Sequence, residues 1–198
     1  MKKILVTGAS GFIGKTLCNK LIKLSFNVQG AVRSLDSLTF DYNFKAVTVG
    51  EIGANTNWIN ALKDIDCIIH CAGKAHSTNE KKNVNMYHSI NTEGTNRLAK
   101  QAVEAGVKRL VFLSSVKVNG ESTGKTFNNK IFTNKSVLDP KDAYSISKFE
   151  SEKLLWKISS KTDLEVVVVR LPLVYGYGVK GNLMRLIKLI KSGIPLPF

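Results

Sequence analysis

Nine residues near the amino terminus, Val6-Thr7-Gly8-Ala9-Ser10-Gly11-Phe12-Ile13-Gly14, leave this chain few folds to choose from. They follow the apolar run Ile4-Leu5-Val6 and precede apolar residues at helical spacing, Ile13, Leu17, Leu21 and Leu24, so they read as the turn from a buried strand into an amphipathic helix. Gly8 permits a sharp turn, Gly11 lets backbone approach a ligand with no Cβ between, and Gly14 lets the helix lie close on the strand. The first amides and positive dipole end of that helix would then face an anion, which makes the turn a cradle for the diphosphate of a dinucleotide. A glycine-rich turn without a ligand is the plainer alternative. The position after a first strand, with the glycines in this order, favours the cradle.

Strands and helices alternate along the rest of the chain. Asn27 to Arg33 reads as a second strand, Lys45 to Val49 as a third, and a short helix holding Trp58, Ile59 and Leu62 follows. A fourth strand, Asp66 to His70, runs into Cys71-Ala72-Gly73, small residues against which a ligand can lie. Asn91 is expected to open a helix with Leu98, Ala99, Ala102 and Val103 on its apolar face and Gly106 as its stop. Leu110 to Leu113 forms a fifth strand and delivers Ser114 and Ser115 to its carboxyl end, the edge at which open α/β sheets bind ligands. No periodicity is evident from Lys117 to Asp142, which suggests a lid, a substrate loop or a disordered stretch.

Tyr144-Ser145-Ile146-Ser147-Lys148 begins a helix that continues through Leu154, Leu155 and Ile158. Its four-residue spacing sets the Tyr144 phenol and the Lys148 ammonium on one face, one turn apart. A surface pair is the bland reading of that spacing. Glu165 to Arg170 makes a sixth strand before Leu171-Pro172, a joint is expected around Tyr177, and Leu183, Leu186, Ile187 and Ile190 mark a final helix. Such alternation implies an α/β fold, a parallel sheet with helices on both faces.

Composition closes off other classes. At 198 residues and 43% apolar, one α/β domain is the economical expectation. The apolar run Val166 to Val169 ends at Arg170 and is too short to span a bilayer, so no membrane span and a soluble, cytoplasmic protein are expected. The net charge of +14 is carried mostly by lysines spread over nearly every segment. Nucleic-acid surfaces concentrate basic residues with aromatic partners, so no nucleic-acid partner is expected, although the field should draw anionic small molecules. Cys67 and Cys71, flanking the fourth strand, read as buried reduced thiols, and no metal site is expected. His70 reads as a packed strand-end histidine, and His76 and His88 are left undecided.

Thr7-Gly8 to Gly14, Ala72-Gly73, Ser114-Ser115, Tyr144 to Lys148 and Arg170-Leu171-Pro172-Leu173-Val174-Tyr175-Gly176 together resemble the extended short-chain dehydrogenases/reductases. Within these they resemble the NAD-dependent epimerase/dehydratase family that modifies nucleotide sugars, over essentially the whole chain. Ser114-Ser115-Val116-Lys117-Val118-Asn119-Gly120, with Gly178 to Asn182 later, is similar to a bacterial sugar 4-epimerase and 4-reductase branch that supplies surface polysaccharides. The resemblance implies a Rossmann-like, doubly wound coenzyme domain over residues 1–172 and the start of a substrate-binding region over 173–198. It further implies hydride transfer at sugar C4 with NAD or NADP, and a UDP-linked nucleotide sugar as partner. A homodimer stays open.

The implied catalytic residues are Ser115, Tyr144 and Lys148. Gly8, Ser10, Gly11, Phe12, Ile13, Gly14, Arg33, Ala72, Gly73, Asn91, Tyr144, Lys148 and Pro172 would hold the coenzyme; Ser115, Val116, Tyr144 and Asn182 would meet the substrate. Tyr144 would be the acid/base on the sugar hydroxyl, made more acidic by Lys148, which would also hold the nicotinamide ribose. Ser115 would steady the reacting oxygen. Arg33, at the end of the second strand, tilts the coenzyme towards NADP. The related dehydratases carry an Asp-Glu pair where this chain has Val116 and Lys117, so elimination of water is disfavoured. Family members continue further, so the chain is expected to be a fragment or truncation that lacks most of the substrate domain. The rival class is a non-catalytic, dinucleotide-sensing regulatory module, against which the intact Tyr144/Lys148 pair argues.

Overall fold

The apolar runs become the strands of one parallel sheet. The protein is described by a computed structural model covering residues 2–38, 44–75, 84–122, 131–176, 178–179 and 182–193. Its strands are β1 (Lys3–Thr7), β2 (Asn27–Val32), β3 (Lys45–Thr48), β4 (Cys67–His70), β5 (Arg109–Ser115) and β6 (Glu165–Leu171). Their order is β3-β2-β1-β4-β5-β6, every neighbouring pair parallel. Strands covered on both faces need apolar residues at successive positions, and Ile4, Leu5 and Val6 of β1 are all buried. Leu5 joins Ile68, Leu110 and Phe112 in the core on one face, while Ile4 and Val6 join Val28 and Val32 on the other.

Helices complete the two layers. α1 (Phe12–Lys23) brings Cys18, Leu17 and Leu21 to the core of Ile4 and Val6. The opposite core takes Ala61 and Leu62 of α2 (Ile59–Leu62), Leu98, Ala99 and Ala102 of α4 (Gly94–Glu104) and Leu155 of α5 (Ala143–Ser159). The chain runs outward through β2 and β3, then returns to β4 on the far side of β1. That reversal opens a crevice at the carboxyl ends of β1 and β4, the place where such sheets take ligands. Register keeps its two walls level, because Thr7 pairs with both Ala31 and His70.

A buried polar chain pins the crevice floor. The Thr7 hydroxyl meets His70 Nδ1 at 2.6 Å, His70 Nε2 meets the Thr95 hydroxyl at 2.9 Å, and the Ala72 amide donates to Thr7 Oγ1 at 3.2 Å. Burial, with the Lys148 charge behind it, pushes His70 down to about 3. His70 is therefore a neutral, packed histidine, its ring stacked on Phe112.

Several expectations shift in detail. The helix expected to open at Asn91 begins earlier, with α3 (Val84–Tyr87), and reaches α4 through one wider turn, His88–Glu93. In that turn the Gly94 amide donates to the Ser89 carbonyl five residues back. The extra residue breaks the 3.6 phase, so a period counted back from Leu98 is lost at Asn91. Between Lys117 and Asp142 the described residues form the short 3-10 turn Val116–Val118 and a turn closed by the Ser136 amide donating to the Thr133 carbonyl at 3.2 Å. Cys67 and Cys71 are half-buried free thiols, less enclosed than expected: Cys67 opens β4 at its amino end, and Cys71 lines the crevice with Ala72 and Gly73; Cys18 is buried. α6 (Asn182–Lys191) forms as expected, with Leu186 and Ile190 exposed. His76, Tyr177, Lys180 and Gly181 lie outside the described residues. Among the described residues no helix is long and apolar enough to cross a membrane.

Candidate functional site

The glycine turn is built by contacts that admit no larger residue. Gly8 has φ +65°, and a Cβ there would stand 2.9 Å from the backbone of Ala72 across the crevice. A Cβ on Gly14 would run into the Gly8 carbonyl oxygen, so β1 and α1 lie as close as backbone allows. The Gly11 amide donates to Gly8 O at 2.9 Å, closing the turn. Gly11 also stands at the N-cap of α1, which has neither a side-chain cap nor an acidic residue in its first turn. Uncapped amides at a helix N-terminus suit an anion.

From this turn a cavity of about 670 Å³ follows the carboxyl edge past Gly8, Ser10, Gly11, Arg33, Ala72 and Gly73. Trp58 lines it as well, and its indole Nε1 is buried with no partner among the described residues. The close approach at Gly8, the uncapped α1 and this waiting donor fit an elongated, polar, anionic ligand such as a dinucleotide. At the far end Arg33 Nε lies 3.1 Å from Glu51 Oε1, both side chains largely exposed, and Asp36 stands on the same wall. An arginine already facing a carboxylate offers a 2′-phosphate less than its position in the sequence suggested.

On the β4–β5 side a second group of expected residues comes together. Asn91, buried in the wide turn, accepts from the Lys74 amide at 2.8 Å and donates to the Lys74 carbonyl at 3.0 Å and to Ser147 Oγ at 2.9 Å. It thereby ties the segment after β4 to α5. Gly73 rests over this junction, since a Cβ on it would stand 3.0 Å from Asn91 Oδ1 and 3.3 Å from Lys148 Nζ. Lys148 donates to the Leu113 carbonyl at 2.9 Å, and its Nζ lies 4.5 Å from the centre of the Phe112 ring. Burial pushes this ammonium down to about 8, against the opposing pull of Cys71 and Glu152.

Tyr144 stands one turn before Lys148, near the Ser115 hydroxyl at the end of β5. Burial holds the phenol above its ordinary value. Ser115 and Lys117 draw it down, while Asp142 and Tyr87 push it up. Lys148 is not among these neighbours; the cation that acts on the phenol here is Lys117. The expected lowering of the phenol by Lys148 is thus not what this arrangement produces, because the Lys148 ammonium turns to Leu113 instead.

Phe12 and Ile13 open α1, Val116 follows Ser115 into the 3-10 turn, and Pro172 sits exposed just past β6. Asn182 is the first residue of α6. Gly176 and Gly178 pass over the Phe12 ring, about 4 Å from where their Cβ atoms would be, so the chain after β6 returns to the cradle.

Sequence reasoning passed over a buried ionic group behind Tyr144 and Lys148. Glu152, 2% exposed, takes the Ser114 hydroxyl and two hydrogen bonds from Arg170, at 3.1 and 2.7 Å. Its signal was present in the spacing: Tyr144, Lys148 and Glu152 recur every four residues on one helix.

Comparison with known proteins agrees with this geometry. The family model described as "NAD dependent epimerase/dehydratase family" matches residues 4–197. The UDP-glucose 4-epimerase of Vibrio cholerae is 41% identical over the whole of this chain and 59% of its own length. Among solved structures, MoeE5 in complex with UDP-glucose and NAD superposes with a TM-score of 0.82 at 27% identity, covering 98% of this chain and 62% of that one. The UDP-glucuronic acid 4-epimerase of Bacillus cereus, in complex with NAD, gives 0.81 at 26% identity, covering 98% and 65%. The chain therefore spans about three fifths of the length of these relatives. With the cradle, the crevice and the match all in one register, the chain belongs to the NAD dependent epimerase/dehydratase family.

Proposed function

We propose that this chain carries the coenzyme cradle and acid/base group of an NAD-dependent nucleotide-sugar 4-epimerase. The observation that carries the reading is the convergence of Ser115, at the end of β5, with Tyr144 of α5, with Lys148 one turn on, beside a crevice shaped for a dinucleotide. The ligands and activities named for its relatives support a UDP-linked hexose as substrate. Bound NAD would supply a hydride acceptor that can return the hydride to the other face of the sugar carbon.

This chain's residues would do the rest. The uncapped amides of α1 and the bare backbone of Gly8 and Gly11 hold the diphosphate. Lys148 and Asn91, at the junction under Gly73, hold the ribose beside the reacting carbon. Tyr144 removes the proton of the sugar C4 hydroxyl as hydride leaves and gives it back when hydride returns, and the Ser115 hydroxyl steadies the charge on that oxygen between the two events. Val116 and Lys117 offer no acid/base pair for loss of water, in keeping with epimerisation.

The test is conversion of UDP-glucose to UDP-galactose without added reductant, together with identification of the dinucleotide released on denaturation. Tyr144→Phe should lower turnover by about 10²- to 10⁴-fold while the diphosphate cradle at Gly8 and Gly11 still binds dinucleotide. Unchanged turnover in Tyr144→Phe overturns the acid/base role. Dinucleotide binding without turnover in either form favours the sensing module instead.

A further inference from the structure

Lys117 occupies an unusual place, tied at both ends to the parts that hold the reacting hydroxyls. Its backbone amide donates to Ser115 Oγ at 3.3 Å. Its ammonium donates to Asp142 Oδ2 at 2.6 Å, across a stretch of chain that forms no strand or helix among the described residues. Asp142 is the N-cap of α5: its Oδ1 accepts from the Ser145 amide at 2.6 Å, and its own amide donates to Ser145 Oγ at 3.1 Å. Two residues later comes Tyr144. Burial pushes the Asp142 carboxyl up, but the hydrogen bonds from Lys117 and Ser145 outweigh it and hold it below the ordinary carboxylate value.

We propose that Lys117 is the positioning residue of the Ser115–Tyr144 pair: its bridge to Asp142 straps the turn after β5 to the first turn of α5, and its ammonium offsets the capping carboxylate in front of the phenol. The inference rests on Tyr144 being the acid/base of the reaction proposed above. The remaining titratable groups around Tyr144 do not duplicate this part. Tyr87 of α3 meets it edge-on, with ring centres 6.2 Å apart. On the wide turn, His88 and Glu93 face each other, and His88 also faces Glu150. Lys148 is turned to Leu113.

Both partners of the bridge act on the phenol, with opposite signs. A purely structural bridge would respond alike to loss of either partner, since each substitution breaks the same bond. An electrostatic strap responds oppositely. Asp142→Asn keeps a cap of equal quality while removing the charge.

The experiment follows the Tyr144 phenol directly, as the ultraviolet difference between each protein and its Tyr144→Phe counterpart during titration, alongside kcat and KM for UDP-glucose. Lys117→Met should raise the phenol midpoint by about one pH unit and lower kcat by about tenfold with little change in KM. Lys117→Arg should restore both. Asp142→Asn should lower the midpoint. A midpoint unmoved by Lys117→Met, or moved in the same direction by both substitutions, overturns the inference. Should Lys117→Met fail to fold, a midpoint in Asp142→Asn that rises or stays overturns it, and one that falls upholds it. Because the titration is read without turnover, opposite shifts in a protein that does not epimerise UDP-glucose uphold this inference and reject the proposed reaction.

Discussion

A buried ammonium carries a desolvation cost at this site. Lys148 is 4% exposed, and one hydrogen bond to Leu113 O and the Phe112 ring face replace the water it has lost. With its value pushed from 10.5 to about 8, the unfolded chain binds more protons than the folded one between those limits. Folded stability must therefore rise with pH through that window, and the penalty is fully present below it. Lys148→Met removes the group from this balance. Chemical denaturation of both forms should show the wild type gaining about 3 kcal/mol on Lys148→Met between neutral pH and pH 10.5. A constant difference would mean that Lys148 is not held in this desolvated position.

At the scale of elements, α5 does most of the positioning, through polar residues. Its buried face carries Ser145, Ser147, Lys148, Ser151 and Glu152, with Leu155 as its fully buried apolar residue. Small hydroxyls let the helix lie against the wide turn: Ser151 Oγ donates to the Asn91 carbonyl at 2.9 Å, and Ser147 Oγ receives the Asn91 amide. Glu152 fastens the same helix to β5 and β6 through Ser114 and Arg170. Removing one member of a buried pair strands the other. Glu152→Ala should cost about 3–5 kcal/mol in urea denaturation, and Glu152→Ala with Arg170→Met should cost less than the sum of the two single changes. Additive costs would deny the pair its part. This element also shows where a sequence stops being readable. Hydrophobic periodicity found Leu154, Leu155 and Ile158, and the four-residue spacing found Tyr144 and Lys148. The same spacing reaches Glu152 but does not tell what it faces, nor does it reveal the Lys117–Asp142 bridge, because a charge in a sequence looks the same whether it faces water or a partner 18 or 25 residues away. Likewise the wide turn around Asn91 leaves no mark that propensity can read.

Across the whole molecule the glycine turn, the strand order and the crevice amount to one statement. β1 is the inner strand from which the chain departs in one direction and beside which it resumes in the other, so its carboxyl end opens on the crevice, where its successor, Gly8, faces Ala72. This much was legible from Val6 to Gly14, since a strand, a bare turn and a helix in direct succession leave little freedom in what lies beside them. A ligand held there binds only the folded chain and must stabilise it by mass action. NAD at about a hundred times its dissociation constant should add about 2.7 kcal/mol and raise the melting temperature by roughly 5–10 °C for a chain of this size. Gly8→Ala should forgo that gain, because at φ +65° the new Cβ is strained and stands 2.9 Å from Ala72. The backbone strain alone should lower the stability of the free variant by about 1–2 kcal/mol. Thermal denaturation with and without NAD separates the two effects: the loss in the free protein reports strain, and the missing increment reports the cradle. An increment as large in Gly8→Ala as in the parent chain would place the dinucleotide somewhere other than the turn between β1 and α1.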